Sequence, residues 1–138
     1  MTVIVDASVA VAWYIAEPES KAARALLESG QPLIAPELLL AEACNAMWKR
    51  VTRGDALPEQ AGLMARDLPE VFEELVSLRV LCDRATEIAL ALGHPVYDCF
   101  YLALAEERDA ALVTSDRRLL AMIAGTQWES LAKALSTR

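Results

Sequence analysis

Asp6, Glu42, Asp98 and Asp116 are the side chains whose type and placement could do chemistry together. Asp6 closes the apolar run Val3-Ile4-Val5, and Asp116 follows the apolar run Leu112-Val113-Thr114 by two positions. Glu42 stands between Ala41 and Ala43, and Asp98 precedes Cys99-Phe100-Tyr101. Carboxylates brought together in apolar surroundings repel and raise one another's pKa. A hard cation, Mg²⁺ or Mn²⁺, turns that liability into a set of oxygen ligands. The chemistry such a set suits is hydrolysis at phosphorus, where cations lower the pKa of water and neutralise charge on the leaving oxygen. Ser8, Thr114 and Ser115 lie beside two of the acids, placed to hold waters or carboxylates behind the ligands. An acid in the first turn of a helix also serves as a cap or dipole partner, and Asp98 and Asp116 taken singly fit that role as well. Asp6 and Glu42, set in wholly apolar neighbourhoods, fit it less readily.

The elements that must position these acids follow from hydrophobic period and breakers. Residues 2–6 predict a buried strand, with Ser8 capping the turn after it and a short apolar helix over 9–15. Pro18 stops that helix, and 19–27 is amphipathic, closed by Gly30. Residues 33–35 between two prolines predict a strand; 37–53 predicts a helix with Leu38, Ala41, Asn45 and Trp48 as its stripe. Pro58 opens a helix over 58–68. The next passage is ambiguous, with a short strand expected near 71–73 or 76–78, and 81–92 is a helix ending at Gly93. A strongly periodic helix begins at Tyr97, a buried strand occupies 111–114, a last helix starts at Ser115 or Asp116, and a final strand is expected at 127–131 before a frayed tail. Strands alternating with helices predict an α/β fold, a three-layer α/β/α sandwich around a mostly parallel sheet. In such sheets ligands gather where strands end at their carboxyl edge, which is where Asp6 and Asp116 fall.

Bulk composition narrows the function. The length of 138 residues fits one domain, 1–138, with 55% apolar and 24% charged residues. No apolar stretch is long enough to cross a bilayer, and the chain opens directly on Thr2-Val3-Ile4 without a basic leader, so the cytoplasm is the expected location. Cys44, Cys82 and Cys99 share no CxxC spacing and are expected to be small buried hydrophobes; with one histidine, His94, they offer no zinc site. The net charge of -7 argues against coating nucleic acid through the overall field. Local cations remain, and Arg117, Lys49 and Arg53 are the expected phosphate contacts.

The motifs that carry the four acids resemble those of the PIN-domain ribonucleases, specifically the VapC toxins of toxin–antitoxin pairs. Ile4-Val5-Asp6-Ala7-Ser8 is similar to the first acidic motif. Pro36-Glu37-Leu38 through Glu42-Ala43-Cys44-Asn45 resembles the second, Tyr97-Asp98 with Tyr101-Leu102-Ala103-Leu104-Ala105 the third, and Val113-Thr114-Ser115-Asp116-Arg117-Arg118-Leu119 the fourth. The four occur in order over nearly the whole chain. The resemblance implies a PIN fold and a Mg²⁺- or Mn²⁺-dependent endoribonuclease; single-stranded or loop RNA is the expected substrate because a recessed acidic cleft admits a splayed strand more readily than a duplex. It also implies cation ligation by Asp6, Glu42, Asp98 and Asp116, a homodimer, and inhibition by a cognate VapB-like antitoxin. Cys99 departs from the family's usual small, alanine-like residue and leaves the acids intact.

Two other readings stand beside this one. A catalytically inactive interaction protein of the same fold would share every element. A phosphoacceptor signalling domain also gathers acids at strand ends, but would place a lysine late, at a strand end, whereas Lys133 is expected in the tail.

Overall fold

Val3-Ile4-Val5 forms the centre of the molecule because it is apolar throughout and pairs on both sides. In the computed structural model, which describes residues 1–135, this strand, β1 (Val3–Val5), lies between β2 (Leu33–Pro36) and β4 (Ala111–Thr114), parallel to both. Outside these run β3 (Glu74–Val76) beside β2 and β5 (Ala132–Ala134) beside β4, again parallel. The order is β3-β2-β1-β4-β5. The chain moves outward from β1 through β2 to β3, then returns to the other side of β1 for β4. The strand order therefore reverses between β1 and β4, the crevice where open α/β sheets bind ligands.

Helices cover both faces of the sheet, giving the three-layer sandwich. Helix α1 (Ala7–Ala12) packs on α2 (Ser20–Glu28) and α3 (Leu38–Thr52), and α3 in turn on α4 (Pro58–Val71). Helix α5 (Leu78–Leu92) packs most extensively on α6 (Val96–Arg108), which lies against β2 and β4, while α7 (Arg117–Ile123) leans on β5. Seven consecutive residues of α6, Cys99 to Ala105, are buried. Alanines alternating with larger side chains let it sit between the sheet and α5. Truncating a fully buried side chain such as Leu102 or Ile88 to alanine would cost about 2–5 kcal/mol.

Several expectations are corrected. The third strand is Glu74–Val76, straddling the two expected positions, because β2 pairs it at Ile34↔Glu74 and Pro36↔Val76. Helix α4 continues past 68 through Pro69; Pro69 and Ala65 are exposed, so the carbonyl deprived of its partner is left to solvent. The inward stripe of α3 is Leu39, Ala43 and Met47, one residue out of the expected phase, and Trp48 is 60% exposed. Helix α5 starts at Leu78, capped by Ser77, before the expected 81. Residues 129–131 form a 3₁₀ turn, and the last strand follows it at 132–134.

Lys133 accordingly lies on β5, opposite Val113, and not in a tail; of that tail, 136–138 are outside the described residues. The phosphoacceptor reading gains nothing from this, because sheets of that kind run 2-1-3-4-5 and this one does not. Cys44 and Cys82 are exposed, and only Cys99 is buried as expected of all three. Among the described residues no single helix is long and apolar enough to cross a membrane.

Candidate active site at the carboxyl edge of the sheet

Asp6 follows β1 directly and is the N-cap of α1, the role expected of Ser8. Its Oδ1 accepts from the backbone N–H of Ser8 (3.1 Å) and Val9 (3.3 Å) and from Ser8 Oγ (2.5 Å). Its Oδ2 accepts from the hydroxyl of Thr114, the last residue of the neighbouring strand. Thr114 Oγ1 is itself an acceptor for the Asp116 N–H at 2.9 Å, and Ser8 Oγ accepts from the Ser115 N–H at 3.3 Å. These bonds tie the ends of β1 and β4 together. Asp116 is the N-cap of α7, with Oδ1 accepting from the N–H groups of Arg118 (2.9 Å) and Leu119 (3.3 Å). Its capping role and its place at the site are compatible, since Oδ2 has no hydrogen-bond partner among the described residues.

Glu42 reaches the same region from α3, and Tyr101 on α6 donates to its Oε1 at 2.7 Å. Asp98, in the first turn of α6, meets His94 Nε2 at 2.9 Å through Oδ2, with the imidazole as donor when the carboxyl is ionised. Sequence reasoning missed both partners. Tyr101 reads as core and is 1% exposed, while His94 was considered only as a zinc ligand. The signal was proximity in sequence for Tyr101, three residues along α6 from Asp98, whereas His94 lies in the bend before Pro95, ahead of the helix, where no periodic signal applies.

The acids sense one another electrostatically. Burial drives Asp6 above the usual carboxylate range; the bonds from Ser8, Thr114 and Val9 oppose the rise, and the charge of Asp116 adds to it. Glu42 is also raised, first by burial, against the Tyr101 bond, and further by Asp98 and Asp6. Burial lifts the Tyr101 phenol well above its ordinary value, with Glu42, Asp6 and Asp98 reinforcing it, so it remains a donor. The thiol of Cys99, next to Asp98, is pushed up to about 11 by burial and by that carboxylate, and is not a nucleophile at neutral pH. Asp55, Asp67, Asp83 and Asp109 are exposed, as expected of solvated acids.

As a donor set the four carboxylates suit a hard cation, and Glu42, Asp98 and Asp116 each keep one oxygen without a hydrogen-bond partner among the described residues. They are not drawn into a ready-made cage: among the described residues no three acids, histidines or cysteines form a group close enough to hold a metal ion. Each acid is instead turned onto a protein donor. Of the expected phosphate contacts, Arg117 lines the cleft formed with Thr114 and Ser115. Lys49 and Arg53 are exposed at the end of α3 and line none of the clefts next to the acids.

Comparison with known proteins points one way. Residues 3–124 match the family model for the PIN domain. The chain is 36% identical over 121 residues to ribonuclease VapC3 of Pyrobaculum aerophilum, a match covering 86% of this chain and 92% of the relative. The crystal structure of PAE2754 from Pyrobaculum aerophilum superposes with a TM-score of 0.65 at 26% identity, covering 91% of this chain and 82% of the other.

Proposed function

Because this chain belongs to the PIN-domain family, we propose that it is a divalent-cation-dependent endoribonuclease acting as the toxin of a toxin–antitoxin pair. The observation that carries this reading is the placing of Asp6 and Asp116 where β1 and β4 end, with Asp6 and Glu42 both shifted upward, first by burial and further by acidic neighbours. A site that keeps like charges together at such cost is suited to a cation. Similarity to a ribonuclease supports RNA as the substrate class.

In this proposal Asp6, Glu42, Asp98 and Asp116 would hold Mg²⁺ or Mn²⁺, which would supply Lewis acidity toward phosphorus and neutralise charge on the leaving oxygen. The chain's own residues do the positioning. Ser8 and Thr114 fix Asp6, Tyr101 fixes Glu42, and His94 fixes Asp98. Ser115 ties Ser8 to the start of α7, and Arg117, in the lining of the cleft beside Thr114, would face a phosphate of the strand. Single-stranded or loop RNA suits a recessed site, because its bases splay away from the backbone.

The chain would act as a single-domain homodimer held inactive by a VapB-like antitoxin. The apolar cleft between α3 and α4, lined by Met47, Trp48 and Met64, with Leu57 and Leu63 exposed nearby, supports a protein partner on that face. Light scattering at high micromolar concentration checks the dimer, and a monomer would remove it.

A second reading has its own observation. The absence of three close ligands among the described residues favours a PIN-fold interaction protein without catalysis. Incubating the purified chain, freed of any co-purifying partner, with total cellular RNA in Mg²⁺, Mn²⁺ or EDTA separates the two. New 5′ ends at defined positions that vanish in EDTA support the nuclease; none with any cation supports the interaction protein.

A further inference from the structure

Two clefts that share a wall are lined by the chain neighbours of Asp6 and Asp116, with none of the four acids in either lining. One, of about 360 Å³, includes Ser8, Glu17 and Arg50 in its lining; the other, of about 250 Å³, includes Thr114 and Arg117; Ser115 and Glu19 belong to both. Each thus borders the hydroxyls that hold Asp6, and each contains one arginine. From this arrangement we propose that the two clefts form a continuous path for a single RNA strand, with Arg50 and Arg117 each holding a phosphate and Glu17 competing for Arg50. The proposal rests on the nuclease reading and adds to it the strand path and a built-in competitor.

Arg50 is the member of the basic end of α3 that turns inward. Its Nη2 lies 2.7 Å from Glu17 Oε2, with the Arg50 side chain 33% and the Glu17 side chain 15% exposed. One such bond leaves most of the five guanidinium donors available, and the planar fork matches phosphate better than an ammonium would. A phosphate entering the cleft meets an arginine already oriented by Glu17 and must displace its carboxylate, which leaves Glu17 without its partner and sets the cost that makes it a competitor. Glu19, at the join, opposes the phosphates and keeps affinity low in this chain of net charge -7. The apolar cleft a protein would choose lies elsewhere, between α3 and α4, and so the polar path is assigned to nucleic acid.

The test reads binding apart from cutting. Anisotropy of a short, labelled, mixed-sequence single-stranded RNA is followed in Mg²⁺ with Asp98→Asn as the parent chain, at several salt concentrations. Glu17→Gln should tighten binding roughly three- to fivefold and Arg50→Ala weaken it by a similar factor, the range of a partly exposed charge pair. Arg50→Ala should also lower the slope of log affinity against log salt by about 0.7, the loss of one phosphate contact on a single strand. Glu17→Gln should have no effect once Arg50 is alanine, and Arg50→Lys should restore the slope. Unchanged affinity and slope in Glu17→Gln and Arg50→Ala, both folded by thermal melt, would overturn the path. A gain from Glu17→Gln that persists without Arg50 would overturn the arginine's role. RNA binding with the full arginine dependence, but no cutting by the natural chain, would remove the nuclease reading and keep the path; cutting indifferent to Arg50 would do the reverse.

Discussion

The Tyr101 hydroxyl on α6 donates a 2.7 Å hydrogen bond to Glu42 Oε1 on α3, joining helices that are 59 residues apart at this point in the chain. The phenol is buried, and the carboxylate it holds is pushed up first by burial and further by Asp98 and Asp6. Tyr101→Phe keeps the ring in the core and removes only the donor. It should destabilise the fold by about 2 kcal/mol, the range of a hydrogen bond to a charged group. The expected functional effect is weaker Mn²⁺ binding by calorimetry, with the RNA salt slope unchanged. Equal Mn²⁺ affinity in the variant would show that Glu42 needs no such support.

His94 stands to Asp98 as Tyr101 stands to Glu42, reaching it at 2.9 Å from the bend just before α6. His94→Ala should lower kcat by about tenfold with little change in KM, as expected when a group that orients a ligand is lost. His94→Gln, which retains a donor, should recover part of it. A rise in KM alone would place His94 in substrate binding.

Thr114 bridges the site's two capping acids, accepting from the Asp116 N–H and donating to Asp6. It is completely buried. Thr114→Val fills the same volume but leaves both groups unpaired, costing about 3 kcal/mol, whereas Thr114→Ser should cost less than half of that. Urea unfolding checks the ranking, and equal stabilities for Val and Ser would contradict it.

Titration gives a signed prediction. Glu42 has a folded pKa above its ordinary value, so in the metal-free chain its contribution to stability is complete below the ordinary value and is lost as pH rises through the folded one. Glu74 and Glu106, bound to Arg108 and Arg84, are shifted down and have the opposite slope, stabilising above the ordinary value and losing that as pH falls. The informative quantity is therefore the difference between the natural chain and Glu42→Gln in EDTA. The natural chain should lose stability relative to the variant as pH rises from about 4 toward neutrality. Saturating Mn²⁺ at neutral pH should reverse that loss, and a pH-independent difference would contradict the shift.

Strands β1 and β4, and the acids that follow them, were legible because each rests on a strong local signal. β-branched runs predict β1 and β4, and an acid ending a buried strand stands out. The third strand was not, since Glu74-Leu75-Val76 is too short to carry a period and is defined by pairing with β2. The stripe of α3 slipped by one residue because its apolar residues extend around the helix, and only packing against α1 and α4 selects Leu39, Ala43 and Met47. The donors to the acids were hidden for the same reason. A tyrosine at helical spacing is core in most contexts, and its hydroxyl reveals a partner only when α3 is in place. Arg50 is one of three cations within five residues, and only the fold distinguishes it from Lys49 and Arg53.

The most direct test of the account follows cleavage of one labelled RNA containing a mapped site, under single-turnover conditions, as Mn²⁺ is raised from zero. The natural chain should show no cutting in EDTA and a rate that saturates with Mn²⁺, while Asp98→Asn should be at least about a hundredfold slower at every concentration, the upper range for disturbing a metal site. Cutting by Asp98→Asn at the natural rate, or no cutting by the natural chain at any Mn²⁺ concentration, would contradict the claim that these acids form a cation-dependent nuclease centre.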